Sequence, residues 1–153
     1  MNNVIRAVLI SFIFNTFSIA GDIEEVKKSI IDGFTYLNKM KKGLNDYSKD
    51  GAIEFWSSGG LLHVVDPSGR PETYEEINVT PKHIEVVILV PGKAAVAMYY
   101  SEGHMKPKGA NGVSHYLTRV SQSFIKEGSE WKTRTSHWSP VVGGSGTSQT
   151  GKE

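Results

Sequence analysis

From Asp22 to Met40, in "DIEEVKKSIIDGFTYLNKM", the apolar residues Ile23, Val26, Ile30, Ile31, Phe34, Leu37 and Met40 return every three or four positions. That spacing keeps them on one face of a helix. Asp22 stands where an N-cap would, with Glu25 in the capping-box position, and Gly43 supplies a stop. A shorter helical piece is read in "KDGAIEFWSS" from Lys49, ending at Gly59 and Gly60. Beyond Gly60 the pattern becomes short runs of β-branched and aromatic residues punctuated by Pro and Gly. "LLHVV" runs into the turn "DPSG", "PETYEEI" is read as one further helical turn, and "KHIEVVILV" follows. After the "PGK" turn come "AAVAMYYSEGHM", the loop "KPKGANG", "SHYLTRVSQSFIK", the "EGSE" turn and "EWKTRTSHWSPVV". The last three runs are long and closely connected, which predicts an antiparallel meander.

Helix first and strands afterwards predict an α+β fold: a long N-terminal helix packed on a strongly curved, mainly antiparallel sheet that forms a cone-like barrel with a cavity. Small-molecule sites favour such concavities. Residues 1–20, "MNNVIRAVLISFIFNTFSIA", stand apart from this pattern. A polar start with Arg6, an apolar run, and Ser18 and Ala20 before Gly21 read as a signal peptide cleaved after Ala20, which predicts a secreted or periplasmic protein. Its apolar run is broken by Asn15 and Thr16, short of the roughly 20 residues a spanning helix needs, and no membrane association is expected after cleavage. The domain then occupies 21–142, and 143–153, "GGSGTSQTGKE", is an apolar-free tail expected to be flexible.

Charge and composition narrow the chemistry. The chain carries 17 basic and 16 acidic residues, and loss of Arg6 brings the two into balance. A near-neutral protein lacks the basic surface that nucleic acid requires, so no nucleic-acid partner is expected. Cysteine is absent, which leaves stability to a packed core. The five histidines, His63, His83, His104, His115 and His137, include no compact HxH or HxxxH pair, so neither a metal nor any other cofactor is expected. No GxSxG elbow is present.

The order of a long helix, a segment ending in "FW", "LLHVVDPSG", "GKAAVAMYY" and a closing "EWKTRTSHWSP" resembles the nuclear transport factor 2-like superfamily. That superfamily includes ketosteroid isomerase, the polyketide cyclases and exported proteins of unassigned role. The same pattern is similar to the association domain of the calcium/calmodulin-dependent kinases. The resemblance covers roughly residues 23–142 and implies a fold more than an activity. It implies three functional classes: a small-molecule binder, a cofactor-independent isomerase, cyclase or dehydratase, and an oligomeric assembly module. A homodimer built through the outer face of the sheet is expected. The complete ketosteroid isomerase set, a carboxylate base with a Tyr and a protonated acid as oxyanion donors, cannot be placed on this sequence.

Strand side chains alternate between faces, so the last strand offers two sets: Lys132, Arg134, Ser136 and Trp138, or Trp131, Thr133, Thr135 and His137. The resemblance to the kinase association domain favours the first set, with Tyr100 and Gln122 on neighbouring strands, although a single bulge would reverse the choice. The candidate ligand-binding residues are therefore Trp56, Tyr100, Glu102, Tyr116, Gln122, Arg134 and Trp138, with Arg134 able to hold a carboxylate. His104 and His137 are the candidate catalytic groups, since an imidazole can carry a proton in either direction near neutral pH. Asp66, before "PSG", is read first as a turn residue. Binding of a small organic molecule is favoured over catalysis because only fragments of an acid–base set are visible.

Overall fold

The computed structural model describes residues 2–141, with side chains described from Ile19 onward. A single helix α1 (Asn2–Met40) leads into six strands: β1 (Ala52–Phe55), β2 (His63–Val65), β3 (Tyr74–Val90), β4 (Ala94–Pro107), β5 (Val113–Glu127) and β6 (Glu130–Pro140). They form one open sheet in the order β2-β1-β6-β5-β4-β3, antiparallel throughout except for the parallel pair β1–β6. The meander from β3 to β6 follows its short turns, and β2 and β3 are the two outermost strands. The tail 143–153 lies outside the described residues.

Three local expectations are corrected. The helix runs on through residue 22, so Asp22 and Glu25 do not cap it; their carboxylates serve tertiary contacts instead. Asp22 accepts from the Gly92 N–H at 2.7 Å, and both acids receive Lys126 Nζ, at 3.3 Å and 2.6 Å. The stretch from Lys49 is a turn followed by β1, not a helix. In Ala52–Phe55, buried and exposed residues alternate, the two-residue period of a half-buried strand, and pairing on both sides outweighs helical propensity. The segment "PETYEEI" likewise enters β3 rather than turning once as helix, held by Tyr74 N–H donating to Lys41 O at 2.9 Å. The helix itself ends at Met40, where Lys41 takes a left-handed φ of 51°, the conformation expected of Gly43.

Val26, Ile30 and Phe34 form the buried stripe of α1, while Ile31 and Met40, assigned to the same face, remain exposed. The stripe packs on inward residues of the meander, including Val79, Ala97, Tyr99, Val120 and Phe124. Near its C-terminal end the helix also covers part of the β3 edge. The Asn38 side chain donates to Val79 O at 2.7 Å and accepts from Val79 N–H at 2.9 Å, supplying the pair of hydrogen bonds that a further strand would make.

The long strands bend at irregularities. Register shifts fall between Lys82 and Glu85 in β3, where His83 has a φ of 52°, at Gly103 in β4, and between Ser123 and Phe124 opposite β6. Gly103 is the tightest of these. Its φ is 152°, and a Cβ there would lie 2.0 Å from Asn78 O. Gly103→Ala is therefore expected to cost about 3 kcal/mol, read as a lower urea midpoint. Gly92→Ala, with a φ of 67° but no neighbour within 4 Å, serves as control and should cost only about 1 kcal/mol.

Candidate functional site

Between the helix and the inner face of the sheet lies a pocket of about 240 Å³. The helix contributes Ile30, Gly33, Phe34 and Leu37, and the segments 43–47 and 71–72 border it. The sheet contributes Glu54 from β1, Tyr74 and Val79 from β3, Tyr99 and Ser101 from β4, Tyr116, Gln122 and Phe124 from β5, and Thr133 and Trp138 from β6. Trp56 and Ser57 follow β1 in the wall.

A bulge decides which face of β6 is used. Phe124 pairs with Thr133 and Ser123 with Thr135, leaving Arg134 as the extra residue. Inward positions therefore run Trp131, Thr133, then Ser136, with Trp138 behind them, combining members of both alternating sets. Arg134 is turned out of the wall, and its Nη1 donates to Gly51 O at 2.9 Å. On β4 the inner positions are Tyr99 and Ser101, so Tyr100 and Glu102 project from the opposite, exposed face. Of the residues singled out from sequence, Trp56, Tyr116, Gln122 and Trp138 meet around the pocket, while Tyr100, Glu102 and Arg134 do not. His104 is exposed beside Glu76 and Lys106, outside this pocket, and His137 is exposed with its ring 5.7 Å from that of Phe55.

Residues not anticipated from sequence complete the wall. The segment 46–48 lies along β6: Thr133 N–H donates to Asp46 O and Ser48 N–H donates to Thr133 O, each at 2.9 Å. This brings Asp46 and Tyr47 into the lining. Glu54 is nearly fully buried and ringed by donors, with Ser136 Oγ at 2.6 Å, Trp56 Nε1 at 3.0 Å and Tyr47 Oη at 3.5 Å. Trp138 Nε1 donates to Ser136 Oγ at 3.1 Å, extending the network to the far wall. Tyr99 donates its hydroxyl to Gln122 Oε1, and the Tyr116 and Ser57 hydroxyls lie 3.4 Å apart. Reading "AIEF" as an alternating strand would have placed Glu54 inward. Asp46 and Tyr47 sit in an irregular segment and carry no periodic signal.

Burial shapes the titration of these groups. The Asp46 carboxyl is pushed up to about 6 by desolvation, with the neighbouring Glu54 adding to the rise while its own amide N–H and Lys132 oppose it. Desolvation also raises the phenols of Tyr47, Tyr74, Tyr99 and Tyr116, so these side chains act as neutral hydroxyls. Among the described residues no three His, Asp or Glu side chains are grouped as a metal site would require.

No family model matches the chain, and no curated protein matches it. Solved structures do. A protein of unknown function from Pseudomonas putida KT2440, described as NTF2-like, aligns with a TM-score of 0.54 at 14% identity, over 78% of this chain and 87% of the other. A second NTF2-like protein of unknown function, from Prochlorococcus sp. NATL2A, gives 0.47 at 18% identity, over 82% of this chain and 94% of its own. The association domain of C. elegans CaMKII gives 0.43 at 15% identity, covering 88% and 96%. At such identities the likeness is one of architecture, and the Pseudomonas protein carries it. One helix laid across an irregularly bent six-stranded sheet is the nuclear transport factor 2-like fold.

Proposed function

We propose that this protein is exported and holds a small, partly apolar organic molecule in the pocket between α1 and the sheet, the two together acting as a cone-like cavity. The observation that carries the reading is the lining itself: aromatic rings from the helix and from both halves of the sheet surround an interior in which a network from Glu54 through Ser136 to Trp138 holds part of the polar wall in fixed hydrogen bonds. Ring walls of this kind grip a flat or apolar body, and the ordered hydroxyl and amide groups orient it. Export rests on the signal-like sequence of residues 1–20.

A homodimer through the outer sheet face accompanies this reading. On that face Met98 and Tyr100 stand two positions apart on β4, and Val87 on β3 is opposite Val96; the three are exposed by 61%, 44% and 61%. Apolar residues grouped on an open sheet are a common subunit contact.

A second reading, proton transfer on a bound molecule without a cofactor, is favoured by one observation. Asp46 faces the pocket with a carboxyl poised near 6, where it can both accept and release a proton near neutral pH. His104 and His137 are not part of this reading, since both lie away from the pocket.

Three outcomes are expected. Protein recovered after export, beginning at Gly21, should gain thermal stability with members of a library of small aromatic and alicyclic compounds, and Trp56→Ala should weaken those hits about tenfold. A library without hits would refute the binding reading. Secondly, the raised Asp46 carboxyl means its ionised form destabilises the folded chain; the penalty is absent below the ordinary value of 3.8 and complete above about 6. Asp46→Asn should therefore gain stability over the parent protein near neutral pH and lose that advantage as the pH falls through this window, as followed by urea melts. Thirdly, Met98→Glu should convert the dimer to a monomer in sedimentation equilibrium with little change in melting temperature.

A further inference from the structure

The charges around the pocket are of one sign. Its lining includes Asp46, Glu54 and, at the border where Leu44 is also exposed, Glu72, but no Lys, Arg or His. The one basic residue expected there from sequence, Arg134, is turned away to Gly51 by the β6 bulge. The chain as a whole is close to neutral, so this imbalance is local.

Several donors of the lining are already engaged. Both indole N–H groups and the hydroxyls of Tyr47 and Tyr99 already donate to protein acceptors. Two groups in the lining differ from these. The Asp46 carboxylate receives no side-chain donor, only its own backbone amide. The hydroxyl of Thr133, a residue exposed by 1%, has no hydrogen-bond partner. Buried hydroxyls are nearly always paired in native proteins, so an unpaired one next to an undonated carboxyl in a pocket wall points to a group that arrives from outside. Thr133 and Asp46 are held together by the backbone bond between Thr133 N–H and Asp46 O. A group that presents several donors and a positive charge fits this set, and aromatic faces around it add cation–π attraction.

We infer that the molecule held in this pocket carries a protonated amine on an aromatic or alicyclic body, with the ammonium directed to Asp46 and Thr133. The inference rests on the binding reading above and specifies its ligand class. The groups that bear on the Asp46 carboxyl are Glu54 from β1, Lys132 from β6, and Tyr47 and Tyr99, whose phenols it influences in turn. Lys132 lies outside the lining and pairs with Glu130 at 2.8 Å. It tempers the negative field without entering the pocket.

The test is calorimetric titration of the full chain with three molecules that share one aromatic body: 2-phenylethylamine, 2-phenylethanol and phenylacetate. The amine should bind about tenfold or more tighter than the alcohol, since it adds charge-assisted hydrogen bonds, and phenylacetate should bind weakest. The amine stays protonated at neutral and mildly acidic pH, so any loss of its affinity on acidification reports on the protein. Affinity for the amine should fall as the pH is lowered through about 6, the value at which Asp46 gains its proton. Asp46→Asn, checked for folding by its thermal melt, should abolish both the preference for amine over alcohol and the pH dependence. Should that variant fail to fold, the pH dependence in the parent protein decides alone. Equal binding of amine and alcohol, or preference for phenylacetate, overturns the inference and leaves the binding reading standing. No binding by any of the three overturns the inference, while hits elsewhere in the compound library would still sustain the binding reading.

Discussion

Three rings hold this molecule together at its centre. Phe34 of α1 meets Tyr99 of β4 edge-on, with centroids 6.0 Å apart, and Tyr99 meets Trp138 of β6 at 6.2 Å and 89°. Phe34 and Trp138 close the triangle at 6.4 Å. Edge-to-face rings place positive ring edges against negative faces, which fixes orientation as well as distance. The helix is thereby set at one height above the sheet, and large rigid side chains that meet at their edges leave space beside them. The pocket is that space, and its neighbour on the helix, Gly33, has no side chain to fill it.

What is added around the triangle is polar and closely organised. Glu54 is nearly out of solvent, yet three donors surround it, which is the condition under which a carboxylate can be buried at tolerable cost. Asp46 has no such company and answers by holding its proton more tightly. Two acids on one pocket thus occupy different electrostatic situations. One organises the aromatic wall through Trp56 and, by way of Ser136, through Trp138; the other remains available to whatever enters.

The sequence displays the strongly periodic parts of this arrangement and little of the rest. The apolar spacing from Val26 to Leu37 places the helix and its end at Met40, and the long β-branched runs with short turns yield the meander. The alternation on β5 correctly groups Tyr116 with Gln122, because no irregularity separates them. Elsewhere local rules give way to tertiary ones. Ala52–Phe55 is too short for its alternation to stand out, and its strand character comes from β6 and β2 on either side. On β4 the adjacent tyrosines Tyr99 and Tyr100 differ by a single step of alternation, and nothing in their chemistry says which is inside. Asp46 and Tyr47 reach the pocket only because an irregular segment pairs with Thr133, a contact between residues far apart in the chain.

The bulge at Arg134 gives β6 something like a reading frame. Residues before it present one phase of the alternation to the interior and residues after it present the other. Were the same residues to pair with β5 without the bulge, Thr135 and His137 would follow Thr133 to the interior, and Ser136 and Trp138 would face outward. One extra residue in the strand, and no substitution, thus makes this wall indole and not imidazole. The chemistry of the pocket is set by the phase of one strand as much as by which residues that strand carries.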